Sequence, residues 1–345
     1  MPDIHTPTET ESENAMLRRR IAALEHDVRN LREMMVPLLR HSWRAKFSPK
    51  LYQWVQYEPR DVVELTATIA ETPMLPSPPR IAIVTPSYNY AEFIGETVMS
   101  VITQPYPRLT YVVQDNNSTD GTDKVLADIA HRFSNLMREP RHLILRSEAD
   151  RGQADSVNRG FAQVPDAEIM AYLNADDILL PGTLAFVAST FQRYPEVEVV
   201  YGHRIFIDAD GRETGRCVLP NHDRNAIKWT DYIPQETMFW RRRVWDRIGP
   251  LDETFRFAID WDFILRAHEA GFRFKRLPRF LGCFRWHDRQ KTSAMRQTGA
   301  DEERRLRRRH LGYDPTGKEI SLKIKGYLRR HVLFHRAYKL RLLGI

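Results

Sequence analysis

Cysteine is nearly missing from this chain, with Cys217 and Cys283 the two among 345 residues. So few thiols exclude a disulfide framework and a cysteine-rich zinc site, and they fit a reducing compartment. Long hydrophobic runs are missing as well. None approaches the roughly 18 apolar residues that a spanning helix needs, so the chain is not expected to cross a bilayer. The leading stretch MPDIHTPTETESENA is polar and acidic, where an export signal is basic and then apolar, so no secretory leader is expected. Together these absences make a cytoplasmic location the expectation. Glycine-rich phosphate loops are also absent. There is no G-x-x-x-x-G-K-[ST], hence no P-loop, and no G-x-G-x-x-G after the first expected strand, hence no dinucleotide fingerprint. A phosphate site without such loops must lean on a cation to neutralise its ligand.

Acidic residues are scarce at one end. The formal charge is +7, but residues 301–345 hold 13 Lys or Arg against 5 Asp or Glu, a net +8, which leaves −1 for everything before them. The basicity belongs to a tail, outside the organised part of the chain, so no nucleic-acid partner is expected.

What is present supports a substantial core, since 42% of the residues are apolar. Leu17, Ile21, Leu24, Val28, Leu31, Met35 and Leu38 recur at alternating spacings of 4 and 3, the seam of a heptad repeat, and Pro37 ends it. A coiled-coil helix is expected over 14–40 after a disordered tail at 1–13, with a homo-oligomer contact through 17–38. The alternative is a single amphipathic helix lying on the body. Residues 41–79 finish in PMLPSPPR, which fits neither helix nor central strand and is expected to be a linker.

From Arg80 the texture becomes short β-branched runs alternating with helical periods. Strands are expected at 81–85, 110–114, 142–147, 168–173 and 197–202, and helices near 91–103, 120–133, 152–163 and 182–194. That order implies an α/β domain over 80–298, with a mainly parallel sheet covered by helices on both faces. Ligands of such sheets bind beyond the carboxyl ends of the strands. PSYNY, DNNSTDGT and NADD each follow a strand and should share one rim. HRIFIDADGRETGRCVL reads as a hairpin about D-A-D-G, and the second half as an added mixed layer. Residues 299–345 read as basic amphipathic helices.

The stretch YLNADD (172–177) closes an apolar run with an amide and two carboxylates. One explanation is a helix start capped by Asp ahead of Pro181. The other is a site for Mg²⁺ or Mn²⁺ bridging a diphosphate, since such a hard ion takes oxygen ligands and one or two protein carboxylates. Asp176, flanked by Asn174 and Asp177, suits that second role.

Taken in order over roughly residues 80 to 295, five segments carry a resemblance: IVTPSYNYAEFIGETVMSVITQPYP, VVQDNNSTDGT, SEADRGQADSVNRGF, YLNADDILLPGTL and the helix with Asp260. About 60% of the chain thereby resembles inverting glycosyltransferases of family 2, bacterial polysaccharide and glycoconjugate enzymes with the GT-A fold. The resemblance implies that NADD is the family's metal-binding DxD-type motif, with Asn174 in place of the first acid and Asp176 on the metal. It implies that Thr85, Pro86 and Tyr88 border the nucleotide, that Asp115 contacts the base, with uracil favoured, and that Arg151 approaches the nucleotide or diphosphate. Asn116 and Asn117 stand where the family often has glycines. Asp120 is expected to cap the following helix, and Asn158 and Gly160 to serve packing and turns.

Inverting transfer needs a carboxylate to take the acceptor hydroxyl's proton. Asp260 occupies the family's base position, although Ile259 stands where a Glu is common; a helix N-cap is the other explanation, and Asp262 is the fallback base. His287 resembles a histidine directed at the metal or diphosphate, with Arg289 and Lys291 beside it. Gln235 and Glu236 resemble the acceptor-side segment. The implied substrates are a nucleotide-diphospho-sugar donor and a glycan or polyprenyl-linked acceptor, with Mn²⁺ or Mg²⁺ as cofactor. Q-x-x-R-W is absent, so a processive synthase is not expected. The basic tail matches interfacial helices, which would place the protein peripherally on the inner face of the plasma membrane; the alternative packs it on its own domain. A competing class of function is a non-catalytic scaffold that organises partners at a membrane, favoured by Asn174 and Ile259.

Overall fold

The computed structural model describes residues 55–66, 72, 75–290, 295–343 and 345. The expected tail at 1–13, the heptad segment 14–40 with its oligomer contact, and Lys291 lie outside the described residues.

The first four β-branched runs form β1 (Ile81–Ser87), β2 (Leu109–Asp115), β3 (His142–Ser147) and β4 (Ile169–Tyr172). They pair in parallel in the order β3-β2-β1-β4. Three crossover helices join them: α1 (Ile94–Ile102), α2 (Thr122–Arg132) and α3 (Gln153–Ala162). Parallel pairing brings every carboxyl end to one edge, so the three polar clusters share a rim.

Side-chain alternation along each strand builds a core on each face of the sheet. Ile81 and Ile83 join Val98, Leu126 and Leu184, which belong to α1, α2 and α4 (Thr183–Arg193). Ala82 and Val84 turn the other way and join Val157 and Phe161 of α3. Gly160 permits that packing: a Cβ there would lie 2.4 Å from Val84 Cγ1, so α3 approaches β1 as closely as it does because position 160 has no side chain.

The second half extends the same sheet and does not form a separate layer. β6 (Val199–Ile207) and β7 (Glu213–Cys217) form the expected hairpin, with Gly211 at φ 77° in its turn. Short β8 (Phe239–Arg241) runs antiparallel between β4 and β6 and welds the halves together. β9 (Phe274–Arg285) pairs in parallel with β6, and β5 (Ile178–Leu179), just after NADD, pairs with β9. The result is nine strands in the order β3-β2-β1-β4-β8-β6-β9-β5, with β7 on β6. Parallel pairing is thus the rule in the first half and mixed pairing in the second. Pro278, which has no N–H to donate, falls where the β6–β9 register shifts between Tyr201 and His203.

α5 (Arg242–Ile248) and α6 (Ile259–Glu269) follow β8. Trp240 of β8 meets Phe161 of α3 at 5.8 Å and Phe263 of α6 at 4.8 Å between ring centroids, which ties both helices to the sheet. Each such pair adds about 0.5–1.5 kcal/mol beyond burial. That anchorage holds the start of α6 over the rim.

The basic tail forms α7 (Arg296–Leu311) and α8 (Gly317–Lys339), and both pack on the domain. Leu306, Tyr327 and His331 are buried, and Phe334 and Tyr338 cover an apolar cluster containing Ile205 and Phe280. Within the segment expected as a linker, residues 55–60 lie along β7: Gln56 N–H donates to Thr214 O and Arg60 N–H to Glu213 O. The buried Glu213 carboxylate there receives Arg60 and Arg216, and Arg216 also reaches Glu64 and Tyr338 OH.

Candidate active site

A cavity of about 820 Å³ opens on the rim, within the range that holds a small ligand. The ends of β1 and β4, the 3₁₀ turn Gln235–Thr237, the start of α6 and the segment after β9 all contribute to its wall.

Along the first strand end, Pro86, Ser87, Tyr88, Asn89 and Tyr90 line the cavity. Thr85 sits behind this wall, fully buried, with its hydroxyl 2.9 Å from Tyr111 OH. Asp115 is likewise one layer back. Its carboxylate accepts from Ser118 N at 2.9 Å, Ser118 Oγ at 2.6 Å and Ser147 Oγ at 3.1 Å, and Asn116 is the neighbour that faces the cavity. Asn117 has φ 50°, a left-handed conformation that Asn tolerates nearly as glycine does, so Asn can replace a glycine there without breaking the loop. Asp120 is not a simple cap: it accepts from Thr122 N and Thr122 Oγ1 and also from Ala91 N, stitching two rim loops together.

Arg151 lies on the rim beside the cavity-lining Asp150 and Gly152, with its guanidinium 3.1 Å from Asp155 and 2.8 Å from Glu253. Asn158 packs as expected, exchanging two 3.0 Å bonds with the backbone of Leu251.

The three polar residues of NADD divide their work. Asn174 Oδ1 accepts from Gln153 Nε2 at 2.7 Å, and its Nδ2 donates to Asp177 and Gln235, so the amide in the first position knits three elements. Asp177 turns inward: it accepts from Arg285 N at 3.1 Å and is 1% exposed. Burial first, and then the charges of Asp176 and Glu236, push its carboxyl well above the usual range, against the Arg285 N–H and Arg204. Asp176 points to the opposite wall, where its Oδ2 lies 3.1 Å from His287 Nε2. Tyr90 borders this pair, its phenol held well above the ordinary range by burial first and then by Asp176 and Asp177.

Arg285 is a site residue that the motifs did not reveal. It is fully buried, its Nε donates to Asp176 O at 2.9 Å, and its other nitrogens reach Ala209 O and Glu96. It therefore fixes the backbone that presents Asp176. A lone Arg inside an apolar strand (LGCFRWH) was the available signal, since an unpaired charge does not stay buried.

Elsewhere on the cavity wall, Asp260 lies in the first turn of α6, with Oδ1 accepting from its neighbour Trp261 N at 2.9 Å. Asp262 points away. Two residues along a helix is about 200° of rotation, and its buried carboxylate is held by Arg266 at 2.7 Å and Arg309 at 2.8 Å. Glu236 is engaged by Arg204 Nε at 2.8 Å, and Gln235 Nε2 donates to Tyr172 O. Arg289 lines the cavity and pairs with Glu92. Phe257, Ile259, Trp261, Phe284 and Met295 supply apolar surface.

Whether this wall suits a divalent cation is decided by the donor set. Among the described residues no three His, Cys, Asp or Glu side chains group to cage a metal. Asp176 and His287 nonetheless face each other, both at least nine-tenths buried, and His287 Nδ1 lacks a partner. Two protein donors fit an ion whose other ligands are diphosphate and water.

The fold and the rim define a glycosyltransferase of the GT-A class. The family profile described as "Glycosyl transferase family 2" matches residues 82–258, and the chain belongs to that family. A segment of 243 residues is 29% identical to the O-antigen biosynthesis protein RfbC of Myxococcus xanthus, covering 70% of this chain and 18% of that protein. A PGL/p-HBAD biosynthesis glycosyltransferase of Mycobacterium tuberculosis is 31% identical over 55% of this chain and 70% of its own length. Among solved structures, S. aureus TarS in complex with UDP-GlcNAc superposes with a TM-score of 0.54 at 18% identity, over 77% of this chain and 76% of that one. A mannosyltransferase from Pyrobaculum calidifontis in complex with GDP-Man and Mn²⁺ also gives 0.54, at 21% identity, over 88% and 78%. No helix of the described residues is long and apolar enough to cross a membrane.

Proposed function

We propose that this chain is an inverting, divalent-cation-assisted transferase that moves a sugar from a nucleotide-diphospho-sugar, UDP-linked by preference, to a hydroxyl of a glycan or polyprenyl-linked acceptor. The observation that carries this reading is one cavity with the Asp176–His287 pair on one wall and Asp260 on another. In the proposed reaction Asp260 takes the acceptor proton, the freed oxygen electron pair forms the bond to the anomeric carbon, and the bond from that carbon to the diphosphate breaks with its pair leaving on the diphosphate. Asp176 and His287 would hold Mn²⁺ or Mg²⁺, which when bound would supply positive charge to offset this leaving group. Pro86, Tyr88 and Asn174 form the nucleotide side in this reading. Thr85 and Asp115 support that wall from behind, and Arg151 holds its mouth through Asp155.

A thermal-shift series tests the donor. A ligand that binds the native state raises its melting temperature in proportion to RT ln(1 + [L]/Kd). UDP with Mn²⁺ should stabilise the protein more than UDP alone, and more than GDP or TDP with Mn²⁺. Equal shifts for all three nucleotides would remove uracil from the reading.

The outward face of α8 supports a membrane contact for a lipid-linked acceptor. Leu322 and Leu333, with the C-cap residue Leu340 just past the helix, are 60%, 63% and 69% exposed. They share one helical stripe with Lys325, Arg329 and Arg336, while Tyr327, His331 and Phe334 turn inward. Anionic lipid attracts each such basic residue by about 1 kcal/mol. The protein should co-sediment with vesicles containing phosphatidylglycerol, less so at high salt and less so with Leu322, Leu333 and Leu340 changed to Ser. Binding that ignores lipid charge and these leucines would locate the acceptor elsewhere.

A further inference from the structure

A second hollow of about 240 Å³ shares no lining residue with the active cavity. It is smaller than the roughly 300 Å³ at which sites for drug-sized ligands begin. Arg224 and Lys228 line it from the stretch around the 3₁₀ turn Ala226–Lys228. Leu265, His268 and Glu269 line it from the last turns of α6, and His310 from the last turn of α7.

The two histidines carry unmet bonding capacity. His268 is 7% exposed, and its Nδ1 is buried with no partner. The His310 side chain is 4% exposed; its Nδ1 pairs with Glu269, and its Nε2 is buried with no partner. Buried polar nitrogens are ordinarily bonded, so two open ones in one small hollow call for a ligand that bonds both. The charge around them is positive. Arg224 and Lys228 are exposed, and neither pairs with a carboxylate among the described residues. Asp223 beside them is engaged by the N–H groups of Asn225 and Ala226 and by Arg330, and Glu269 is taken by His310.

We infer that this hollow binds a phosphate dianion, inorganic or as a phosphomonoester, with Arg224, Lys228, His268 Nδ1 and His310 Nε2 as donors to its oxygens. A tetrahedral oxyanion presents acceptors on every side and so meets donors arriving from three segments, whereas a carboxylate offers two oxygens in one plane. Neutral His268 donates from Nδ1 in one of its tautomers, and His310, with Nδ1 toward Glu269, donates from Nε2 as imidazolium. The C-terminal ends of α6 and α7 bring negative poles near the hollow, so the attraction for an anion comes from Arg224 and Lys228. Their field already acts on His268: burial first, then Lys228 and Arg224, hold its imidazole below the ordinary range, against Glu269.

The three segments are bonded to one another. Trp261 Nε1 of α6 donates to Ile227 O at 2.9 Å, and Arg307 Nε of α7 donates to Trp229 O at 3.1 Å. Other residues of the same segments, Asp231, Asp260, Trp261 and Glu303, line the active cavity. Phosphate in the hollow therefore braces that wall from a separate site, and its binding rests on nothing assigned to Asp260.

Titration of the full chain with inorganic phosphate, followed at the imidazole nitrogens by ¹⁵N NMR, tests this. The His268 and His310 signals should shift saturably, and amide exchange across residues 224–233 should slow. Arg224→Ala/Lys228→Ala should weaken binding at least about tenfold, because charged hydrogen-bond donors are removed. Both side chains are exposed, so the variant should melt as the wild type does without phosphate. Lys124→Ala/Arg132→Ala, the same loss of charge on exposed positions of α2, should leave binding unchanged. Dihexanoyl phosphatidic acid separates the sources: tighter binding than phosphate, with the same dependence on Arg224 and Lys228, supports the inference with a lipid headgroup as ligand. Weaker binding supports it with the free ion or a soluble ester. Signals that drift without saturating, or equal affinity in wild type and Arg224→Ala/Lys228→Ala, overturn it.

Discussion

Asp260→Asn should abolish most glycosyl transfer, by roughly 10²- to 10⁴-fold, while leaving UDP binding in place. The amide keeps the size of the side chain and can still accept from Trp261 N–H through its oxygen, so the start of α6 should be preserved. What disappears is the group that removes the acceptor proton, and the carboxylates of Asp262 and Glu236 are already engaged. Asp262 is turned to the far side of α6 and held by Arg266 and Arg309, and Glu236 is clasped by Arg204. The loss should therefore fall on kcat, with KM for the donor nearly unchanged. Transfer assays with the variant and wild type at saturating donor decide it. A variant with more than about a tenth of wild-type kcat would mean that another group takes the proton.

The second large effect lies across the cavity. Asp176→Ala should weaken Mn²⁺-dependent UDP binding at least about tenfold and cut transfer by roughly 10²- to 10³-fold, the scale for losing one preorganised stabiliser of developing charge. The substitution also removes the partner of His287 Nε2, 3.1 Å away, so both proposed donors to the cation are disturbed together. Stability should change little: Asp177 and Arg285, which anchor this turn, keep their own bonds to each other and to the backbone. Calorimetric titration of UDP with and without Mn²⁺ separates the cases. Equal gain from Mn²⁺ in both proteins would move the cation to another group.

Much of this arrangement was legible in the residues because local chemistry and global topology agree there. Alternating β-branched runs separated by helical periods allow little besides a parallel αβ sheet, and parallel strands must deliver PSYNY, DNNSTDGT and NADD to one edge. The remaining features depend on long-range pairing, which spacing does not encode. β8 has three residues, too few for a periodic signal, yet it joins the two halves of the sheet. Asp231 and Asp260 are 29 positions apart, yet both line the cavity, because α6 docks on the rest of the domain. Asp115 and Arg151 match motif positions, but which way their charges turn was settled by Ser118 and Ser147 for one and by Asp155 and Glu253 for the other. The tail's basic composition likewise concealed an inner stripe of Tyr327, His331 and Phe334, which α8 uses to dock on the domain while exposing its leucines.

The cation is the point on which the account turns, and anomalous diffraction from crystals soaked with UDP and Mn²⁺ addresses it most directly. A manganese peak is expected between the Asp176 carboxylate and His287 Nε2, in contact with the UDP diphosphate. UDP seated in the cavity with no peak there, or a peak on other residues, would contradict it.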